Sequence, residues 1–266
     1  MDGSTEMENG FARIEVEGYR ADVIIQREEK RNAMHEPLLS DLAAAFRTVG
    51  EAESVRAVTL LGEGPVLSAG MDLEMMRGRA DAVDKEGIGD GLPPVLDAIA
   101  ECELPTVAGI HGAAPAGAFE LTLPFDFRIL GAEAKYGVLE VKLGTFPHGG
   151  ATQRLPRLVG LGKAKEIVLT GEFIDPAEAK ACGLITDVVP DEDVKDRSRE
   201  LADDLAENAP IGMRYAKQAL DAAQEMPLEQ GLELERALGK ETYRTDDYRE
   251  GMQARLDGRD PSFENR

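Results

Sequence analysis

Apolar and polar positions alternate in two early stretches. Ile14 and Val16 are separated by charged residues, Glu17-Gly18-Tyr19 turns the chain, and Ala21, Val23 and Ile25 alternate again. Alternation on both sides of a glycine turn is a hairpin signature. The period then changes. Pro37 opens a helix, where its missing N–H is harmless, and Leu38, Leu42, Ala45 and Phe46 fall on one face of it. Ala57–Leu61 (closed by Gly62), Thr106–Ile110 (closed by His111-Gly112) and Asp126–Leu130 are short, mostly apolar runs with helical stretches between them. Near-continuous apolar strands separated by helices predict an α/β fold with parallel pairing.

The last third reads differently. Asp175 and Pro176 supply an N-cap and a first-turn proline, and Gly183 closes that helix. From Asp191 onward only helical patterns follow, punctuated by Pro210 and Pro227. One face is traced by Leu228, Gly231, Leu232, Glu235 and Leu238. The predicted organisation is a flexible acidic tail over 1–10, an α/β core over 11–190 and a helical region over 191–266. The apolar side of that region packs either on its own core or on a partner subunit; the pattern leaves both open. There is no internal repeat and no low-complexity linker.

A chain of 266 residues suits one large domain with an appendage, burying roughly three quarters of its unfolded surface. Charge changes the picture more than size does. There are 51 acidic residues against 30 basic ones, a net charge of −21. Such a surface repels nucleic-acid backbones and anionic membranes. It predicts an acidic, halophilic protein whose stability depends on salt. Cys102 and Cys182 stand in no CxxC or Cys/His cluster, which argues against a disulfide framework and against a metal site. The first ten residues carry neither a basic region nor an apolar run, and no stretch approaches ~18 consecutive apolar residues. These features fit a reducing cytoplasm.

The three histidines, His35, His111 and His148, form no evident triad, and the glycine-rich loops match no dinucleotide or Walker pattern. Carboxylates in apolar company draw more interest. Glu120 lies between Phe119 and Leu121 on a helix that follows a strand. It is either half-exposed or a buried acid with a partner or a task. Glu140 lies between Leu139 and Val141, and is either a solvated strand-end acid or a second such group. Ser68-Ala-Gly-Met-Asp72 contains a glycine that lets the backbone turn its N–H groups into a cleft, or makes a plain turn. Gly117 opens the helix that carries Glu120 three residues later. A helix-start N–H and a carboxylate then share one face.

Taken together, these segments resemble the enoyl-CoA hydratase/isomerase (crotonase) family from about residue 11 to the end. The matching stretches are Arg31-Asn-Ala-Met34, Leu67-Ser-Ala-Gly-Met-Asp-Leu73, His111 through Leu121, and Tyr136 through Glu140 with Gly144–Pro147 and Thr152–Leu155. The resemblance implies a spiral of ββα units, a C-terminal helical region used for a homotrimer or dimer of trimers, and an acyl-CoA substrate with no separate cofactor. It makes Glu120 and Glu140 the catalytic pair and the N–H groups of Met71 and Gly117 the oxyanion hole. It assigns Lys30, Arg31, Ala33, Ala69, Gly70, Asp72, Leu73 and His148 to the substrate, with Arg77 and Arg79 also flanking the pocket. The implied activity is hydration of a 2-trans-enoyl-CoA to a 3-hydroxyacyl-CoA, as in fatty-acid β-oxidation. An enoyl-CoA isomerase and a non-catalytic acyl-CoA-binding or assembly protein are the alternatives. The chain departs from the family pattern at Pro115, Ala116 and Ala118 around the glycines, at Met71 where alanine is common, at His148 where hydratases often have glycine, and at His111, read as structural.

Overall fold

The computed structural model describes residues 3–81 and 91–266; the side chains of residues 79–81 lie outside that description. Nine strands are present among the described residues: β1 (Gly3–Glu6), β2 (Ala12–Glu17), β3 (Arg20–Ile25), β4 (Ala57–Gly62), β5 (Thr106–Ile110), β6 (Ala113–Pro115), β7 (Phe127–Gly131), β8 (Lys135–Gly137) and β9 (Asp187–Val189). Seven of them form one sheet in the order β1-β2-β3-β4-β5-β7-β9. The hairpin predicted around Gly18 is β2–β3, with Glu17 opposite Arg20. Pairing is parallel from β3 through β9. β6 and β8 make a second, two-stranded parallel sheet.

Helices cover both faces. They are α1 (Glu36–Gly50), α2 (Leu73–Asp81), α3 (Pro93–Ala100), α4 (Gly117–Thr122), α5 (Ala151–Val159), α6 (Leu161–Thr170), α7 (Pro176–Ala181), α8 (Val194–Ala206), α9 (Pro210–Ala222), α10 (Leu228–Thr242) and α11 (Asp246–Asp257). The proline at the start of α1 and the Asp175 cap of α7 sit where the sequence predicts them, Asp175 accepting from the N–H groups of Ala177 and Glu178. α1 buries Leu38, Leu42, Ala45 and Phe46 in the main core.

Two parts of the predicted organisation change. Residues 3–6 are not a loose tail: they pair with β2, Gly3 opposite Val16. Gly-Ser-Thr-Glu has no apolar residue to announce a strand, and β2 supplies the hydrogen bonds instead. The helical region also divides. α8 places Val194, Ala202 and Ala206 on Ala57, Val107 and Ile129 of the sheet, forming a second core. Ser198 of α8 comes so close to β5 that a Cβ at Gly109 would lie 2.7 Å from its hydroxyl. α8 therefore belongs to the core, whereas α10 buries no residue in the single chain. Among the described residues no helix is long and apolar enough to cross a membrane.

Candidate active site

A cavity of about 700 Å³ opens between α2, α3, α4 and the segment 139–149. Glu120, Glu140, Met71, Gly117, Ala69, Gly70, Leu73, Arg77 and His148 all line it. Most of its remaining wall is apolar, including Met76, Leu92, Leu139, Leu143 and Phe146.

Glu120 sits on α4, whose Phe119 and Leu121 are fully buried. Beneath it the Phe119 and Tyr136 rings pack at 4.4 Å, and the Tyr136 and Thr122 hydroxyls share a 2.7 Å hydrogen bond. The buried guanidinium of Arg128 donates to the carbonyls of Thr122, Phe125 and Leu184, closing the C-terminal end of α4. Fixed in this way, Glu120 is only 4% exposed. It accepts the N–H of Ala151 at 3.0 Å. Gly149 backs against it so closely that a Cβ there would lie 2.7 Å from Oε2. Burial, reinforced by the Glu140 charge, pushes its pKa up to about 7, against the pull of the neighbouring N–H groups and of Arg154.

Glu140 opens a short 3₁₀ turn after β8 and is 8% exposed. Its Oε2 is buried without a hydrogen-bond partner. Burial raises this carboxyl as well, opposed by the N–H groups at Leu139 and Glu140 and by His148. Both carboxyls border the same mainly apolar cavity, and burial lifts each of them.

Gly117 is buried at the first position of α4, and Met71 is half-buried opposite it. Among the described residues neither N–H meets an acceptor. A buried N–H without an acceptor is a donor available to a ligand. The two loops touch: a Cβ at Gly117 would lie 2.7 Å from Cγ of Met71, and one at Gly70 would lie 3.0 Å from the Pro115 carbonyl. Ala116, just before α4, holds φ 52°, ψ −122°, a conformation that suits glycine rather than alanine.

The segment 31–34 clamps the Met71 loop. The N–H of Ala69 donates to the Arg31 carbonyl, Met34 N–H to Gly70, and Asp72 N–H to Met34. Asn32 is fully buried; its amide donates to the carbonyls of Glu63 and Val66 and accepts from Arg27 N–H.

The structure places several of the sequence-predicted residues off the cavity wall. Lys30, Arg31 and Ala33 do not line the cavity; the two cations are exposed, and this segment serves the site through its backbone. Asp72 does not line it either. Its carboxylate is 2.8 Å from Arg27 and accepts from the N–H groups of Glu74 and Met75, capping α2. Arg79 falls on a side chain outside the described residues. His111 hydrogen-bonds the Gly64 carbonyl at 3.0 Å away from the cavity wall, in the structural role expected of it. Gly149 and Ala151 were missed as individual residues; the Gly-Gly step before a helix was their signal. Among the described residues no group of three or more His, Cys, Asp or Glu is placed to hold a metal ion.

The family model described as "Enoyl-CoA hydratase/isomerase" matches residues 19–266. The chain belongs to the enoyl-CoA hydratase/isomerase (crotonase) family. A protein named "Probable enoyl-CoA hydratase, mitochondrial" from Dictyostelium discoideum is 31% identical over 244 residues, covering 92% of this chain and 87% of that one. A mitochondrial methylglutaconyl-CoA hydratase of Mus musculus is 35% identical, covering 90% of this chain and 77% of that one. Among solved structures, an enoyl-CoA hydratase from Geobacillus kaustophilus superposes with a TM-score of 0.91 at 30% identity, covering 99% of this chain and all of that one. The fold is the crotonase fold, and crotonase enzymes act on acyl-CoA thioesters.

Proposed function

We propose that this crotonase is an enoyl-CoA hydratase that adds water to a 2-trans-enoyl-CoA through Glu120 and Glu140, with the N–H groups of Met71 and Gly117 as its oxyanion hole. One observation carries the reading: two buried, raised carboxyls and two unengaged backbone donors border one mainly apolar cavity.

The chemistry uses each part. The ionised glutamate removes a proton from water as the oxygen bonds Cβ. The alkene electron pair moves onto the thioester oxygen, where two fixed donors stabilise the enolate; losing one such donor typically lowers the rate ~10²–10³-fold. The protonated glutamate then delivers its proton to Cα. The water-excluding wall keeps one carboxyl protonated at neutral pH, which two solvated glutamates would not do. A homotrimer or dimer of trimers built through α9–α11 completes the proposal.

The test is the loss of crotonyl-CoA absorbance with wild type, Glu120→Gln and Glu140→Gln. Hydratase chemistry predicts an active wild type and a fall of at least ~10²-fold in each variant. An unchanged rate in either variant removes that residue from the mechanism. A wild type that binds acyl-CoA without turnover points instead to a binding protein, and one that moves the double bond without hydrating it, to an isomerase.

A further inference from the structure

Met71 brings its side chain as well as its N–H to the cavity wall. That side chain is half-buried and packs on the main core. It lies across Gly117: a Cβ built there would stand 2.7 Å from Cγ and 3.1 Å from Sδ of Met71, and 3.6 Å from Cε of the fully buried Met34. The side chain of one unengaged donor residue therefore rests on the backbone of the other, and Glu120 follows three residues later on α4.

The backbone at Met71 has no room to withdraw. Met34 N–H donates to the Gly70 carbonyl and Asp72 N–H to the Met34 carbonyl, a short bridge that pins residue 71 from both sides. Gly70 already meets the Pro115 carbonyl, to which a Cβ would come within 3.0 Å. Only the side chain can give way, since methionine is unbranched and has three rotatable bonds. The rest of the cavity is roomier, about 700 Å³ in all, with Leu73, Met76, Leu92, Leu143 and Phe146 along its wall. A thioester oxygen held by the Met71 and Gly117 N–H groups puts the acyl Cα, two bonds away, beside the Met71–Gly117 contact. A hydrogen on Cα takes little space there, whereas a methyl branch meets Cγ and Sδ of Met71.

We infer that Met71 is a specificity-determining residue, whose side chain admits enoyl-CoAs unbranched at Cα and disfavours those carrying a Cα methyl. The inference rests on the hydratase reading, which places the thioester oxygen between these two donors. One carbon more against an apolar wall is worth about 10–200-fold in rate. The flexibility of methionine sets the effect near the low end of that range.

The experiment measures kcat/KM for crotonyl-CoA and 2-methylcrotonyl-CoA with wild type, Met71→Ala and Met71→Leu, and the affinities of the same enzymes for butyryl-CoA and 2-methylbutyryl-CoA by calorimetry. Both substitutions keep the backbone N–H. The lower intrinsic reactivity of a branched alkene is common to the three enzymes and cancels when their preferences are compared. In Met71→Ala the preference for crotonyl-CoA should fall about tenfold. In Met71→Leu, which keeps a side chain of similar volume, it should stay within about threefold of wild type. Wild type should bind butyryl-CoA about tenfold more tightly than 2-methylbutyryl-CoA, and Met71→Ala should narrow that gap to about twofold. An unmoved preference in Met71→Ala, an equal fall in Met71→Leu, or equal affinity of wild type for the two saturated thioesters overturns the inference. Should wild type leave crotonyl-CoA unchanged, the hydratase reading fails on its own, and the two affinities still decide whether Met71 screens the branch.

Discussion

At the scale of single residues, the buried carboxyls of the cavity work against stability. Glu120 titrates near 4.5 in an unfolded chain and at about 7 when folded. Below about pH 4.5 both states hold the proton. Between 4.5 and 7 the unfolded chain releases it first, so stability falls as pH rises through that window, by roughly 3 kcal/mol in all. Glu120→Gln removes this titration. Relative to wild type it should gain roughly 3 kcal/mol between about pH 4 and pH 8, read from urea unfolding; parallel stability curves would show that the carboxyl is not lifted. Ala116 is a second local burden. Its φ of 52° and ψ of −122° suit glycine, and relief of that strain exceeds the extra backbone entropy glycine brings. Ala116→Gly should therefore stabilise the protein by about 1 kcal/mol in the same melts, and no gain would mean that the conformation is unstrained.

At the scale of elements, the Met71 loop depends on a segment that never reaches the cavity. Asn32 bridges the backbones at Arg27, Glu63 and Val66, and Ser68 in turn donates to the Asn32 carbonyl while accepting from Gly70 N–H. Asn32→Ala leaves several buried backbone groups unpaired, each worth roughly 1–3 kcal/mol. The variant should lose about 2–4 kcal/mol, and its kcat should fall about tenfold or more as the Met71 N–H shifts. A folded Asn32→Ala enzyme with wild-type kcat would separate the clamp from catalysis. This dependence also marks the limit of what the sequence makes legible. The strands at 57–62, 106–110 and 127–131 are readable because each is an apolar run between turn residues, and the Gly117–Glu120 pairing because a helix brings positions three apart together. The fates of Asp72 and Asn32 are not readable, since Arg27 lies 45 residues from Asp72 and only the folded register brings them together. Short strands such as β6, β8 and β9 escape for a related reason: three residues carry no period, and their partners are distant in the chain.

At the scale of the whole molecule, charge and apolar surface oppose each other. Leu220, Leu228 and Leu256 of α9–α11 are 71%, 78% and 82% exposed in the single chain, with Met226, Leu232 and Met252 also uncovered. Exposed apolar side chains on these helices are what the proposed assembly would cover. Each chain nevertheless carries a net charge of −21, so bringing copies together concentrates negative charge. Exposed charges are screened over about 10 Å at 0.1 M salt and about 3 Å at 1 M. Assembly through α9–α11 should thus strengthen with KCl, and thermal stability should rise with it. Light scattering in high KCl should give a multiple of the 28.7 kDa chain, and Leu228→Glu with Leu232→Glu should return it toward a single chain. In the wild type the melting temperature should climb between about 0.05 and 1 M KCl, most steeply at the low end where the screening length changes fastest. A single-chain mass at every salt concentration would refute assembly, and a melting temperature indifferent to KCl would show that the acidic surface does not weaken the fold.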